Sequence, residues 1–148
     1  MKTGKTRQEV LLAPVPCVHL ESAATMPRIA FGTSQSTFKQ QFESKIGIPV
    51  YIYASQPPHH LFSGPAVSWK GELIEIVRAN DHGKHSDPSV RPPSTLANDA
   101  SGDGPFHFFW EIAGLHQIEK LSLSKFNWKG GGGIPQWPVL AELDFGAA

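Results

Sequence analysis

The chain has 148 residues and a mass of 16.1 kDa, the size of a single domain. Hydrophobic residues make up 40% and charged residues 18%, a core-forming composition that excludes disorder throughout. Thirteen basic residues balance thirteen acidic ones, which excludes a grip on nucleic acid by bulk charge but leaves room for a local patch.

Fourteen glycines and thirteen prolines form nearly a fifth of the chain, against an average of about 12%. Long helices cannot dominate such a chain, and a β-rich fold with many turns is favoured. The single cysteine, Cys17, allows no internal disulfide. The start Met1–Arg7 is basic, but Pro14, Pro16 and His19 break the apolar stretch behind it, unlike a signal peptide. No run approaches the ~18–20 apolar residues of a membrane span. A soluble, cytoplasmic protein with no membrane partner is expected.

In chain order, Val10–Leu20 is apolar enough for a strand. Pro14 and Pro16 cannot donate to a ladder, so an edge strand or partly extended coil is expected there. On that strand Cys17 and His19 share a face, with no third residue nearby to complete a nucleophilic site. Ser36–Gly47 predicts a helix of about three turns. Phe38, Phe42 and Ile46 recur at helical spacing, Ser36 or Thr37 can cap the start, and Gly47 suits the stop.

Val50–Ser55 reads as a buried strand, with Val50, Ile52 and Ala54 on one face and Tyr51, Tyr53 and Ser55 on the other. A second extended stretch runs from Gly64 to Val77. There Val67 and Trp69 share a face, Ile74 and Ile76 take the opposite one, and a bulge at Gly71 restores a single core face. Residues 78–105 form a polar insertion rich in Asp, Ser, Pro, Gly and His, and insertions of that length are usually functional or mobile. Phe106–Ile112 returns to a strand with Phe106, Phe108, Trp110 and Ile112 on one face. Leu121–Phe126 is a short helical turn or edge strand. Gly130–Gly133 must be a loop, and Pro138–Phe145 a last strand with Val139, Ala141, Leu143 and Phe145 inward. These elements predict the α+β class: one domain over 1–148, a small, mixed, largely antiparallel β-barrel with one or two helices.

In its order of elements the chain resembles the PUA-like superfamily of nucleic-acid-binding barrels, in its EVE and ASCH branches. The residues that carry the resemblance are Val50–Ser55 (VYIYAS), Ser63–Val67, Leu73–Val77, Phe109-Trp110 with Ile112, and Leu121–Leu123. They lie between Ile48 and Phe126, little more than half the chain. The Gly-x-Lys-x-x-Glu signature of the ASCH branch and the Trp-x-x-Lys-x-x-Pro opening of the EVE branch are absent. The resemblance implies a pocket between barrel and helix that holds a flipped or modified base.

Such a pocket needs flat π-faces and a few polar groups that read the base edge. The ligand-binding candidates are Tyr53, Ser55, Trp69, Trp110 and Trp128. Core packing is the competing account for regularly alternating aromatics such as Phe108 and Trp110. Trp128 and Trp137 flank the glycine loop, where no core periodicity explains them. Lys120, Lys125 and Lys129 stand close to aromatics, whereas residues 1–48 carry six basic against three acidic residues.

The ASCH resemblance allows an alternative, a small hydrolase acting on a nucleoside or amide. Lys70 beside Glu72 is then the candidate general base, with Thr33 or Ser55 near. A protein-interaction module is a third reading. For a metal, His82, His85 and Asp87 could wrap one ion. No Cys-x-x-Cys or His-Glu-x-x-His pattern accompanies them, and a polar loop collects such residues without an ion. No cofactor is expected.

Overall fold

The structure, a computed structural model, describes residues 7–23, 25–54, 66–95, 104, 106–128 and 137–144. Its first strand, β1 (Arg7–Val15), contains the run Val10–Val15, which is apolar at every position. A strand of that composition is buried on both faces. Leu11, Ala13 and Val15 enter one hydrophobic cluster, and Val10 and Leu12 enter a second. β1 therefore lies inside the sheet, which corrects the edge position expected from its prolines. It pairs in parallel with β3 (Pro49–Ala54) and antiparallel with β7 (Val139–Asp144). The β7 ladder ends at Leu12, so Pro14 stands where β1 has a neighbour on one side only, a position that tolerates a missing N–H.

At Pro16 the extended path stops, and Cys17–Ala23 form a helix, α1. Cys17 and His19 consequently share no strand face. After α1 comes β2 (Arg28–Thr33), a strand that the sequence reading did not anticipate.

The expected helix over Ser36–Gly47 is shorter in the structure: α2 (Phe38–Phe42) and then a 3-10 turn, Glu43–Lys45. Phe38 and Phe42 are fully buried, with ring centroids 4.8 Å apart. Ile46 departs from helical geometry with ψ 132° and is 48% exposed, so the stripe ends one turn early. Thr37 makes no side-chain cap. Gly47 has φ +102°, a conformation that terminates the helix and that other residues adopt only under strain.

β3 divides its side chains as alternation predicts, with Val50, Ile52 and Ala54 in the first cluster and Tyr51 and Tyr53 in the second. β4 (Ala66–Arg78) pairs with β3 on one side and with β5 (Phe108–Ser122) on the other. The β4–β5 ladder shifts register between Val67 and Trp69, between Lys70 and Glu72, and between Leu73 and Glu75. A bulge re-aims every side chain beyond it. Val67 therefore enters the second cluster and Trp69 the first, instead of sharing a face. Leu73 and Ile76 join Trp69 in the first cluster.

A short strand, β6 (Phe126–Trp128), completes the sheet, whose order is β2-β5-β4-β3-β1-β7-β6. One ladder, β1 with β3, is parallel and the rest are antiparallel. A closed barrel was expected, but among the described residues no ladder joins β2 to β6, and the sheet is open. The architecture is α+β: a mixed, largely antiparallel, seven-stranded sheet with two short helices. α1 and α2 cover the first cluster with Leu20, Ala23, Phe38 and Phe42. The second cluster draws buried or half-buried residues from β1, β3, β4, β5, β6 and β7, so those strands curl around it. The first and last of these six strands are joined covalently, because β5 passes through the 3-10 turn Leu123–Lys125 directly into β6. No helix among the described residues is long and apolar enough to cross a membrane.

Candidate functional site

Three chain segments meet at the ends of β1 and β2. β1 brings Pro14 and Val15, followed by Pro16 and by His19 on α1; β2 brings Phe31, Gly32 and Thr33; and the polar insertion lays Arg91 and Thr95 against them. With Phe106 from the approach to β5, Trp110 from its start, and Trp137 and Pro138 ahead of β7, they enclose a cavity of about 310 Å³. That is the lower end of the range for small-molecule sites.

Aromatic rings dominate its wall. Phe31 and Trp110 pack with centroids 5.0 Å apart and planes at 41°. Phe106 lies directly over Gly32, where a Cβ would fall 2.5 Å from the Phe106 ring. Glycine at 32 therefore lets this ring reach the wall. Trp137 is 54% exposed. With the Gln35 amide oriented to satisfy both of its atoms, Trp137 Nε1 donates to Gln35 (3.2 Å) and Gln35 donates to the Pro138 carbonyl (3.1 Å). This pair fixes the indole at the edge of the cavity. Trp110 is 1% exposed, and its Nε1–H is buried without an acceptor.

Among the described residues, the charged member of the wall is Arg91, buried in a loop that composition marks as polar. Its Nη1 donates to the Ala30 carbonyl (2.9 Å), and its guanidinium stands 5.1 Å from the Phe109 ring centroid and 5.5 Å from that of Phe106. Arginine is less strongly hydrated than lysine and stacks on rings, which suits it to such burial. The loop is held at two further points. His19 Nδ1 and Ser94 Oγ are 2.6 Å apart, and Ser22 Oγ lies 2.9 Å from Ser94 Oγ, tying the insertion to α1. Behind the wall, Glu111 is 2% exposed; its Oε1 accepts from Arg28 Nε (2.6 Å). The Asp87 N–H donates to His85 Nδ1 (2.9 Å), so that nitrogen is an acceptor and the ring proton sits on Nε2. From there it is donated to Glu111 Oε2 (2.6 Å).

This environment shifts two ionisations. The hydrogen bond to Glu111 raises the Arg28 guanidinium further above its ordinary value. Hydrogen bonds from the Ser89 hydroxyl and N–H hold the Asp87 carboxyl below the usual carboxylate range.

The residues proposed from sequence are dispersed by this arrangement. Trp110 lines the cavity. Trp69 is packed in the first cluster, and Tyr53 belongs to the second, across the sheet from Trp110. Burial pushes the Tyr53 phenol up to about 12. Trp128 lines a separate, shallower hollow of about 280 Å³ with Glu9, Asn127 and Glu142. Ser55 lies outside the described residues. Lys70 Nζ sits 5.2 Å from the Tyr51 ring centroid, Glu72 is exposed, and neither borders the 310 Å³ cavity. His82, His85 and Asp87 form no metal set: both His85 nitrogens are engaged, and no three His, Cys, Asp or Glu side chains converge among the described residues.

Phe31, Arg91 and Phe106 were missed as site residues. Their signals were faint: a glycine beside Phe31, a lone arginine before two prolines, and a phenylalanine that alternation assigned to the core. Compared with models of known protein families the chain matches none, and a search of curated protein sequences returns no match.

Proposed function

We propose that the protein is a binding module that takes a planar heterocycle, a nucleobase free or within a nucleic acid strand, into the cavity between β1, β2, β5 and the polar insertion. What carries this reading is the convergence of Phe31, Phe106, Trp110 and Trp137 on a single cavity of about 310 Å³. That space suits one base or nucleoside. The exposed Trp137 indole supplies a stacking face at the edge, and Thr33, Thr95 and Arg91 supply polar groups for orientation. PUA-like kinship belongs to the same proposal. It draws support from the six strands curled about the second cluster and from the covalent β5–β6 link, with the aromatic wall relocated from the one the resemblance implied.

Base–aromatic stacking contributes roughly 1–3 kcal/mol per base, so Trp137→Ala is expected to weaken binding about 5- to 150-fold. The experiment is a titration of the protein with nucleosides and short single-stranded oligonucleotides, followed by tryptophan emission and by calorimetry. Absence of binding to every nucleoside and oligonucleotide at low salt overturns the reading. So does unchanged affinity in Trp137→Ala.

A further inference from the structure

β2 stands at the end of the sheet order, and its last residues border the cavity. Along a strand, successive residues turn their N–H and C=O to opposite sides. The Thr33 carbonyl accepts from the His107 N–H (2.9 Å), on the side of β5. Gly32 and Ala30 therefore turn their main-chain groups away from β5. Ala30 agrees with this, because its carbonyl accepts from Arg91 Nη1 (2.9 Å). The polar insertion covers that stretch of the edge, with the 3-10 turn Pro88–Val90 close to β2 and Arg91 on Ala30. Covering is a common protection of an edge strand. Gly32 stays half-buried at the cavity. A glycine borders a cavity with main-chain atoms alone. The direction of its absent side chain is closed by the Phe106 ring, 2.5 Å from where a Cβ would lie, and one flank is closed by β5. On the remaining flank stand an N–H and a C=O side by side. Among the described residues, nothing outside the sheet bonds to either of them. A ligand that displaces water from these groups must supply their partners.

We infer that the main chain of Gly32 grips the pairing edge of the heterocycle. Its N–H donates to a ring carbonyl or ring nitrogen, and its C=O accepts from the N–H group next to that atom. Uracil and hypoxanthine present this pair as a carbonyl beside a ring N–H, cytosine and adenine as a ring nitrogen beside an amino group. The grip thus recognises an unpaired base rather than one particular base, and a base paired within a duplex has the same edge engaged. A ring without adjacent donor and acceptor leaves the Gly32 groups unpaired once water is displaced, which weakens its binding. This inference rests on the heterocycle-binding reading of the same cavity and names the ligand's chemistry within it.

The test compares uridine with N3-methyluridine and inosine with N1-methylinosine, titrated by calorimetry into the full-length protein. In each pair the methyl group replaces the edge N–H and leaves the ring uncharged. A third ligand, 5-methyluridine, carries its methyl group away from that edge and controls for bulk. Each edge methyl is expected to weaken binding at least about fivefold, the effect of one unpaired group, and the 5-methyl group to change it by less than about fivefold. The glycine itself is read by amide hydrogen exchange. Saturating uridine is expected to slow exchange at Gly32 at least about fivefold while the β3 amides keep their rates. A loss below about fivefold in either pair overturns the inference and leaves a base-binding module in place. So does 5-methyluridine that binds as weakly as N3-methyluridine, or exchange at Gly32 slowed by less than about fivefold. Failure of uridine and inosine alike to bind overturns the proposed function itself.

Discussion

Tyr53 and Trp137 show how neighbours decide what an aromatic side chain can do. Tyr53 faces the second cluster, and burial disfavours its phenolate, moving its ionisation from near pH 10 to about 12. The folded state thus favours the neutral phenol. That contribution to stability is complete below pH 10 and is lost as pH rises toward 12. An absorbance titration is expected to show one phenol ionising near pH 12, a step that Tyr53→Phe removes. Trp137 lies in no such cluster and is half-exposed at the cavity. In the sequence Tyr53 was visible as a strand residue and Trp137 as an aromatic beside the glycine loop. Alternation along β3 placed Tyr53 on the face opposite Val50 and Ile52 correctly, whereas no pattern along the chain says which rings from distant segments converge.

Two elements carry predictions of their own. In α2 the buried Phe42 ring packs on Phe38, so Phe42→Ala is expected to cost about 3–5 kcal/mol, while Ile46→Ala, at an exposed position, stays within about 0.5 kcal/mol. Urea denaturation of the two variants checks this contrast. The polar insertion depends on Glu111, which receives hydrogen bonds from Arg28 and His85. Removing one partner of a fully buried ion pair costs about 3–5 kcal/mol. Here the Arg28 side chain is 45% exposed and can rehydrate, so Glu111→Ala is expected to cost less, about 1–3 kcal/mol. Faster hydrogen exchange at Lys84 and Arg91, with the sheet amides of β3 unaffected, is the accompanying sign that the insertion is released. Composition marked the insertion as polar. It did not reveal that His85 and Arg91 are buried anchors, because a histidine or arginine is buried only when distant partners satisfy it.

For the whole molecule, zero net charge and a cavity with one arginine and no lysine in its wall among the described residues set the expected character of nucleic-acid binding. A ligand held mainly by its base releases few counterions. The logarithm of affinity for a short single strand is therefore expected to fall with the logarithm of salt concentration at a slope shallower than about −2, fewer than about three phosphate contacts. Binding isotherms across a salt series measure it, and a steeper slope points to a phosphate track over the surface instead of a base in the cavity.

Local pattern alone determined the class of this protein. The apolar runs at Val10, Val50, Phe108 and Val139 became strands, and Phe38 with Phe42 became the buried face of a helix, because side-chain periodicity acts over neighbouring residues. The interior place of β1, the separation of Val67 from Trp69 by a bulge, the open order of the sheet and the cavity behind Arg91 were decided only in three dimensions. Each depends on ladder register and on contacts between segments far apart in the chain, and no local preference encodes either of these.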